Sequence, residues 1–191
     1  MDFEKKEIEG EQVYFFKKVG STMDIAESFI RKGKEGIIVA EEQFRGRGRY
    51  GRIWISPPGG LYLSWILKRE KMNPETINKI FSLSLIETFS SFGIRNCKIK
   101  FPNDIMIEGR KIAGILVENK GNYYVVGVGV NLNTDTEEIG NFAISYKEIK
   151  RECIDIVKFL RSFIIRFKKI RNEYFESSGR ILKVWGEYLI K

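Results

Sequence analysis

The stretch Cys97 to Asn133, "CKIKFPNDIMIEGRKIAGILVENKGNYYVVGVGVNLN", decides the fold. It divides into four apolar segments, "CKIKFP", "DIMIEG", "KIAGILVEN" and "YYVVGVGVNLN". The links "EGR" and "KGN" are too short for a crossover and suit hairpins, which join antiparallel strands. Upstream, "QVYFFKKVGSTMDIAESFIRKGKEGIIVAEEQ" reads as strand, helix, strand. Ser21 is the helix cap there, with Asp24 at the capping-box position. The class is therefore α+β: a mixed, largely antiparallel sheet with helices packed on it.

Working outward, "SPPGG" is a turn before the strand "LYLSWILK". "NPETINKIFSLSLIETFSSFG" predicts a helix with Asn73 as cap, Pro74 in the first position and Gly93 at the stop. A long amphipathic helix is expected from about Lys150 to Phe175, and a shorter one through "GRILKVWGEYLIK". The chain of 191 residues suits a single domain. It holds no repeat and no low-complexity run.

Composition limits the chemistry. Histidine is absent, which excludes imidazole bases, histidine metal ligands and Ser-His or Cys-His catalysis. The net charge of +8 favours anionic partners without choosing among them. Cys97 and Cys153 lack metal-ligand spacing and read as reduced thiols. The charged N-terminus "MDFEKKEIEGEQ" lacks the apolar centre of a signal peptide, and no apolar run is long enough for a membrane span. A cytoplasmic protein without membrane association is the expectation.

Four places can carry chemistry. "FRGRGRYGRIW", Phe44 to Trp54, packs four arginines and three glycines beside a tryptophan. Forked donors on a pliable backbone suit phosphate or carboxylate, although a solvated basic loop or a nucleic-acid contact has the same composition. In "KFPND", Asn103 and Asp104 are ordinary turn residues or nucleotide contacts. Lys111 is a strand-flanking charge or a ligand cation, and Gly114 inside its strand marks a bulge or a ligand pressed on the backbone. "GSTMD" is a cap or a polar-head site. "GVGVNLN" suits a strand with something close against one face, with Asn131 and Asn133 as contacts or turn formers.

Together these motifs resemble the catalytic domain of the biotin protein ligases, over Gly20 to Asn133. The carrying residues are "GSTMD", "EEQFRGRGRYGRIWISPPGGLYLS", "KFPND", "KIAGILVE" and "GVGVNLN". The resemblance implies a class II synthetase-like fold. It also implies a reaction in which biotin and ATP give biotinyl-5′-AMP and pyrophosphate, after which biotin passes to a lysine. That lysine belongs to a biotin carboxyl carrier protein or domain of a biotin-dependent carboxylase.

It further implies biotin contacts at Ser21, Thr22, Gln43, Gly46, Arg47, Arg49, Lys111, Gly114 and Leu116. ATP contacts are implied at Arg49, Arg52, Trp54, Lys100, Asn103, Lys111 and Asn131, with Asn103 near Mg2+. Lys111, Arg49 and Asp104 are the implied catalytic residues, Asp104 as base for the acceptor amine. Two departures stand out: Phe101 replaces the usual tryptophan, and Met23 replaces the commoner asparagine.

The expectation is one catalytic domain over 1–191, with no N-terminal winged helix, no SH3-like C-terminal domain and no DNA partner. The resemblance allows a homodimer. A lipoate or octanoate ligase or transferase shares the fold but carries other motifs, and a basic nucleic-acid-binding module is the reading from another class.

Overall fold

The computed structural model describes residues 2–70 and 72–190. Its strands are β1 (Glu4–Ile8), β2 (Glu11–Val19), β3 (Gly36–Gln43), β4 (Leu61–Lys68), β5 (Lys98–Lys100), β6 (Asp104–Ile107), β7 (Arg110–Lys120) and β8 (Tyr123–Val130). The helices are α1 (Thr22–Arg31), α2 (Pro74–Ser91), α3 (Thr136–Ile139), α4 (Tyr146–Lys150), α5 (Ile156–Glu176) and α6 (Ser178–Glu187).

The strands form one eight-stranded sheet in the order β1-β2-β3-β4-β8-β7-β6-β5. Among the described strands β2 and β3 alone pair in parallel, as the α1 crossover between them requires. The hairpins expected from "EGR" and "KGN" form, pairing Ile107 with Arg110 and Lys120 with Tyr123. Glu108 and Gly109 both take positive φ, 51° and 76°, which is the twist that a two-residue hairpin needs.

Two layers of helix cover the sheet. On one face α2, α5 and α6 bury the larger core, where Trp65, Phe81 and Phe163 interlock edge to face and Phe167 packs on Trp65 and Phe81 at a tilt. Helix α2 is buried on most of its circumference. Its Ser84 and Thr88 hydroxyls donate to the carbonyls of Ile80 and Ser84, so these two buried hydroxyls are both paired. Truncating Phe81 to alanine there would cost about 3–5 kcal/mol. On the other face α1 alone covers β3, β4 and part of β8, with its Phe29 wedged against Tyr14 of β2. One helix cannot cover eight strands, and the uncovered part of this face becomes the site.

Three sequence expectations need correction. The helix expected from Lys150 begins at Ile156. Arg151 has φ 58°, which ends α4, and the Asp155 carboxylate starts α5 afresh by accepting from the Val157 and Lys158 amides. The N-terminal "EKKEI" is a strand, held to β2 by a hairpin, where charge alone had suggested only the absence of a leader. Asp24 does not close a capping box. Ser21 caps Met23, and Asp24 instead pairs with Arg47 at 2.7 Å.

β6 pairs with β7 only as far as Gly114. Asn103 then takes over, its carbonyl accepting from Ile115 N–H and its Nδ2 donating to the Ile115 carbonyl. By the two-residue strand period, Val117 and Asn119 point their backbone groups the same way. Among the described residues none meets them, so this stretch of β7 is an open sheet edge.

Candidate active site

A cleft of about 570 Å³ opens on the face of the sheet that α1 leaves bare. Its inner end is polar. Gln43, at the end of β3, accepts from the Thr22 amide at 2.8 Å and from the Thr22 hydroxyl at 3.0 Å, while its Nε2 donates to Ser56 at 2.9 Å. Ser64 supports Thr22 by donating to its hydroxyl at 2.8 Å. Ser64 is fully buried in the middle of the otherwise apolar-rich "LYLSWILK", a signal that could have nominated it from sequence. The network fixes the Gln43 amide and leaves one Nε2 hydrogen to aim at a ligand oxygen.

The floor is made of glycine. Gly114 of β7 and Gly129 of β8 lie opposite each other, and the Trp54 indole rests on both. A Cβ at Gly114 would come within 2.8 Å of Trp54 Cζ3, and one at Gly129 would collide with the indole. Met23 closes over Gly127 in the same way, its Sδ 2.7 Å from where a Cβ would stand. The object expected against Gly114 is therefore a side chain of this chain, and a bulge lies beside it between Ile105 and Met106 of β6.

The outer end is cationic. Lys111 Nζ lies 2.7 Å from Asp104 Oδ1, approached so that the carboxylate oxygen gains no aligned hydrogen bond, and 4.8 Å above the Trp54 ring. Arg49 donates from Nη1 to Asn103 Oδ1 at 3.2 Å and sits over the Tyr50 ring. Arg47 bridges Asp24 at 2.7 Å and Glu118 at 3.6 Å. Each of these cations rests on an internal partner that an incoming anion would replace.

The Arg/Gly segment is a narrow hairpin over the mouth, pinned by Arg45 N to Gly20 O, Gly48 N to Arg52 O and Trp54 N to Gly46 O. At its tip Tyr50 has φ 57° and is 85% exposed, and Ile53 is 78% exposed, so the tip packs on little.

All the residues nominated from sequence line this one cleft except Ser21, Gly46 and Asn133. Ser21 is buried behind the wall as the α1 cap. Gly46 backs onto Ser56 and Gln43, where a side chain would push both out of place. Asn131 spends its Nδ2 on the carbonyls of Lys111 and Ile144, which leaves Oδ1 for the cleft. Asn133 is a structural tie, exchanging two bonds with the Ile154 backbone. Missed by the motifs were Ile139 and Phe142, which reach the mouth from the segment after β8.

Among the described residues no cluster of three or more His, Cys, Asp or Glu could hold a metal. At the cationic end Asn103 Oδ1 accepts from Arg49, and such an amide oxygen fits Mg2+, which takes one or two protein oxygens and fills its shell with phosphate and water.

A polar inner end joined to a cationic mouth across a backbone floor suits a small molecule with a polar head and an acidic tail. Comparison narrows the class: residues 15–135 match the Biotin/lipoate A/B protein ligase family, and the chain belongs to it. It is 26% identical to the bifunctional ligase/repressor BirA of Bacillus spizizenii, across 97% of this chain and 62% of that protein. It is 31% identical to the Escherichia coli BirA over 74% of this chain and 47% of that protein. The chain thus spans less than two thirds of these relatives' length. A biotin protein ligase from Aquifex aeolicus, solved with biotin and ATP, superposes with a TM-score of 0.80 at 29% identity. The match covers 86% of this chain and 72% of that one. Among the described residues no helix is long and apolar enough to cross a membrane.

Proposed function

We propose that this chain is a biotin protein ligase. It joins biotin to ATP as biotinyl-5′-AMP, releasing pyrophosphate, and then transfers biotin to a lysine of a biotin carboxyl carrier protein or domain, releasing AMP. The observation that carries this reading is the cleft's polarity: a preset amide and hydroxyl pair, Gln43 and Thr22, at one end and Lys111, Arg49 and Arg52 at the other. Solved and curated relatives named for biotin favour it over lipoate. The proposal concerns the ligase activity alone.

In this reading Thr22 and Gln43 hold the ureido head, and the Gly114 and Gly129 floor with Trp54 carries the tail. Lys111 leaves Asp104 for the biotin carboxylate and the α-phosphate, offsetting the repulsion between two anions. Arg49 and Arg52 take phosphate oxygens. Asn131 Oδ1 accepts from the nucleotide, and Lys100 stands at the mouth on its phosphate side. Asn103 would hold Mg2+, which would supply further charge neutralisation. Once Lys111 has moved, Asp104 is free to accept a proton from the acceptor amine. The reactive anhydride must be kept from water, and the hairpin over the mouth serves that need.

Biotin-dependent exchange of pyrophosphate into ATP by the purified chain tests the first step. Exchange that needs biotin is the expected result; exchange with lipoate or octanoate instead, or with neither, would sink the biotin reading.

A further inference from the structure

The tip of the hairpin over the mouth is built against the ordinary preference of its backbone. Tyr50 and Gly51 are its two central residues, with φ 57° and 72°. The Arg52 amide donates across them to the Arg49 carbonyl at 3.2 Å. Positive φ at both central positions is the mirror-image turn that asparagine followed by glycine makes most easily. Gly51 fits it. Tyr50 does not, because the Cβ of a bulky residue in the left-handed region crowds the following carbonyl. Core packing does not hold the tyrosine there either, since it is 85% exposed.

What the tyrosine touches is Arg49. The guanidinium carbon lies 4.9 Å from the ring centre, and Nη2 donates to the Tyr50 hydroxyl at 3.1 Å. On the other side Nη1 donates to Asn103 Oδ1 at 3.2 Å. Ring face, hydroxyl and amide thus fix the fork together. One hydrogen on each Nη and the Nε hydrogen remain free for an anion. A loose arginine gives up rotamer freedom when it grips a ligand, and one already held gives up less.

We infer that Tyr50 is a positioning residue, kept in an unfavourable turn conformation because it presets Arg49 for an anion at the mouth. The inference rests on the ligase reading above, in which that anion is a phosphate of ATP. Backbone strain that no packing explains points to a constraint set by function. A residue that only shaped the turn would be better as asparagine. A residue that holds the fork needs its ring and its hydroxyl.

The test uses the whole chain. Tyr50→Asn supplies the residue the turn prefers and removes both contacts, whereas Tyr50→Phe keeps the ring alone. Tyr50→Asn should leave the urea midpoint equal to the parent's or above it. It should nevertheless raise the KM for ATP in pyrophosphate exchange roughly two- to fivefold, the size of an exposed cation–π contact. Tyr50→Phe should fall between the two, and Tyr50→Asn should add little once Arg49→Ala is present. An unchanged KM, a joint loss of stability and affinity, a Tyr50→Phe no better than Tyr50→Asn, or full additivity with Arg49→Ala would each overturn the inference. Absence of exchange in the parent would instead overturn the ligase reading, and nuclear magnetic resonance of the empty protein then reads the positioning alone. The Arg49 Nε–H signal, identified by its absence from Arg49→Ala, should be displaced by the ring current in the parent and return to the ordinary arginine range in Tyr50→Asn. The same signal position in both would reject the contact.

Discussion

Lys111 Nζ and Asp104 Oδ1 stand 2.7 Å apart, each about a quarter exposed, with the Trp54 ring beneath the ammonium. Under the proposed function, the cation that would meet two anions is held on a third, and its release would expose the Asp104 carboxylate for the second step.

Lys111→Ala should therefore fold and lose activation. The pair is partly solvated, so its removal costs little stability. Loss of one charge donor at the α-phosphate raises the barrier by about 2.7–4 kcal/mol, so pyrophosphate exchange should fall by about two to three orders of magnitude. Exchange within a few-fold of the parent would return Lys111 to the role of a strand-flanking charge.

Gly129→Ala tests the floor. The added methyl collides with the Trp54 indole, which cannot sink further because Gly114 and its strand lie below. The ring must lift into the cleft, where it blocks the tail path. Biotin binding measured by calorimetry should weaken at least tenfold, while the far-ultraviolet circular dichroism and the urea m-value stay close to the parent's. A global loss of structure would mean that the floor supports the fold and not the ligand.

Much of this was legible in sequence, for physical reasons. Hairpin links and apolar runs report local rules, so β6 to β8 and the caps at Asn73 and Ser21 follow from residues a few positions apart. Nothing local says that Asp24 will prefer Arg47 to its own helix, because that ion pair depends on how the hairpin folds back. The break before α5 was hidden because Arg151 is an ordinary surface residue in an unusual conformation. The GVGV alternation announced that something presses on the strand. That Met23 and Trp54 do the pressing required the tertiary fold.

The two thiols should behave differently. Cys97 is buried, and desolvation pushes its thiol from an ordinary 9.0 up to about 12. Cys153 is exposed. A maleimide or dithiobis reagent at pH 8 should modify one thiol of the native protein and both after denaturation. Because the folded-state value is raised, Cys97 contributes stability below pH 9 that is lost as pH rises toward 12, where the unfolded thiol ionises first. Two thiols reacting at the same rate in the native protein would contradict the burial of Cys97.

The last prediction separates making the adenylate from holding it. Arg49 ties the hairpin tip to the opposite wall through Asn103 Oδ1, and Gly48 beside it lets the segment bend. Lys111, Arg52 and the Asn103 to Asp104 corner remain if Arg49 is removed, so Arg49→Gly should keep part of the activation. It should close badly. The tie across the mouth is gone, and a new glycine makes the ordered hairpin costlier by about 1 kcal/mol. In the parent, hydrogen exchange over Phe44 to Trp54 should slow when biotin and ATP are added together; in the variant it should stay fast. Biotinyl-5′-AMP would then escape and acylate exposed lysines of any protein present. Incubation with biotin, ATP and a bystander protein that is no substrate, followed by blotting for biotin, reads the leak. If the variant still supports exchange but bystander labelling remains at the parent's level, the tip is held by something other than Arg49.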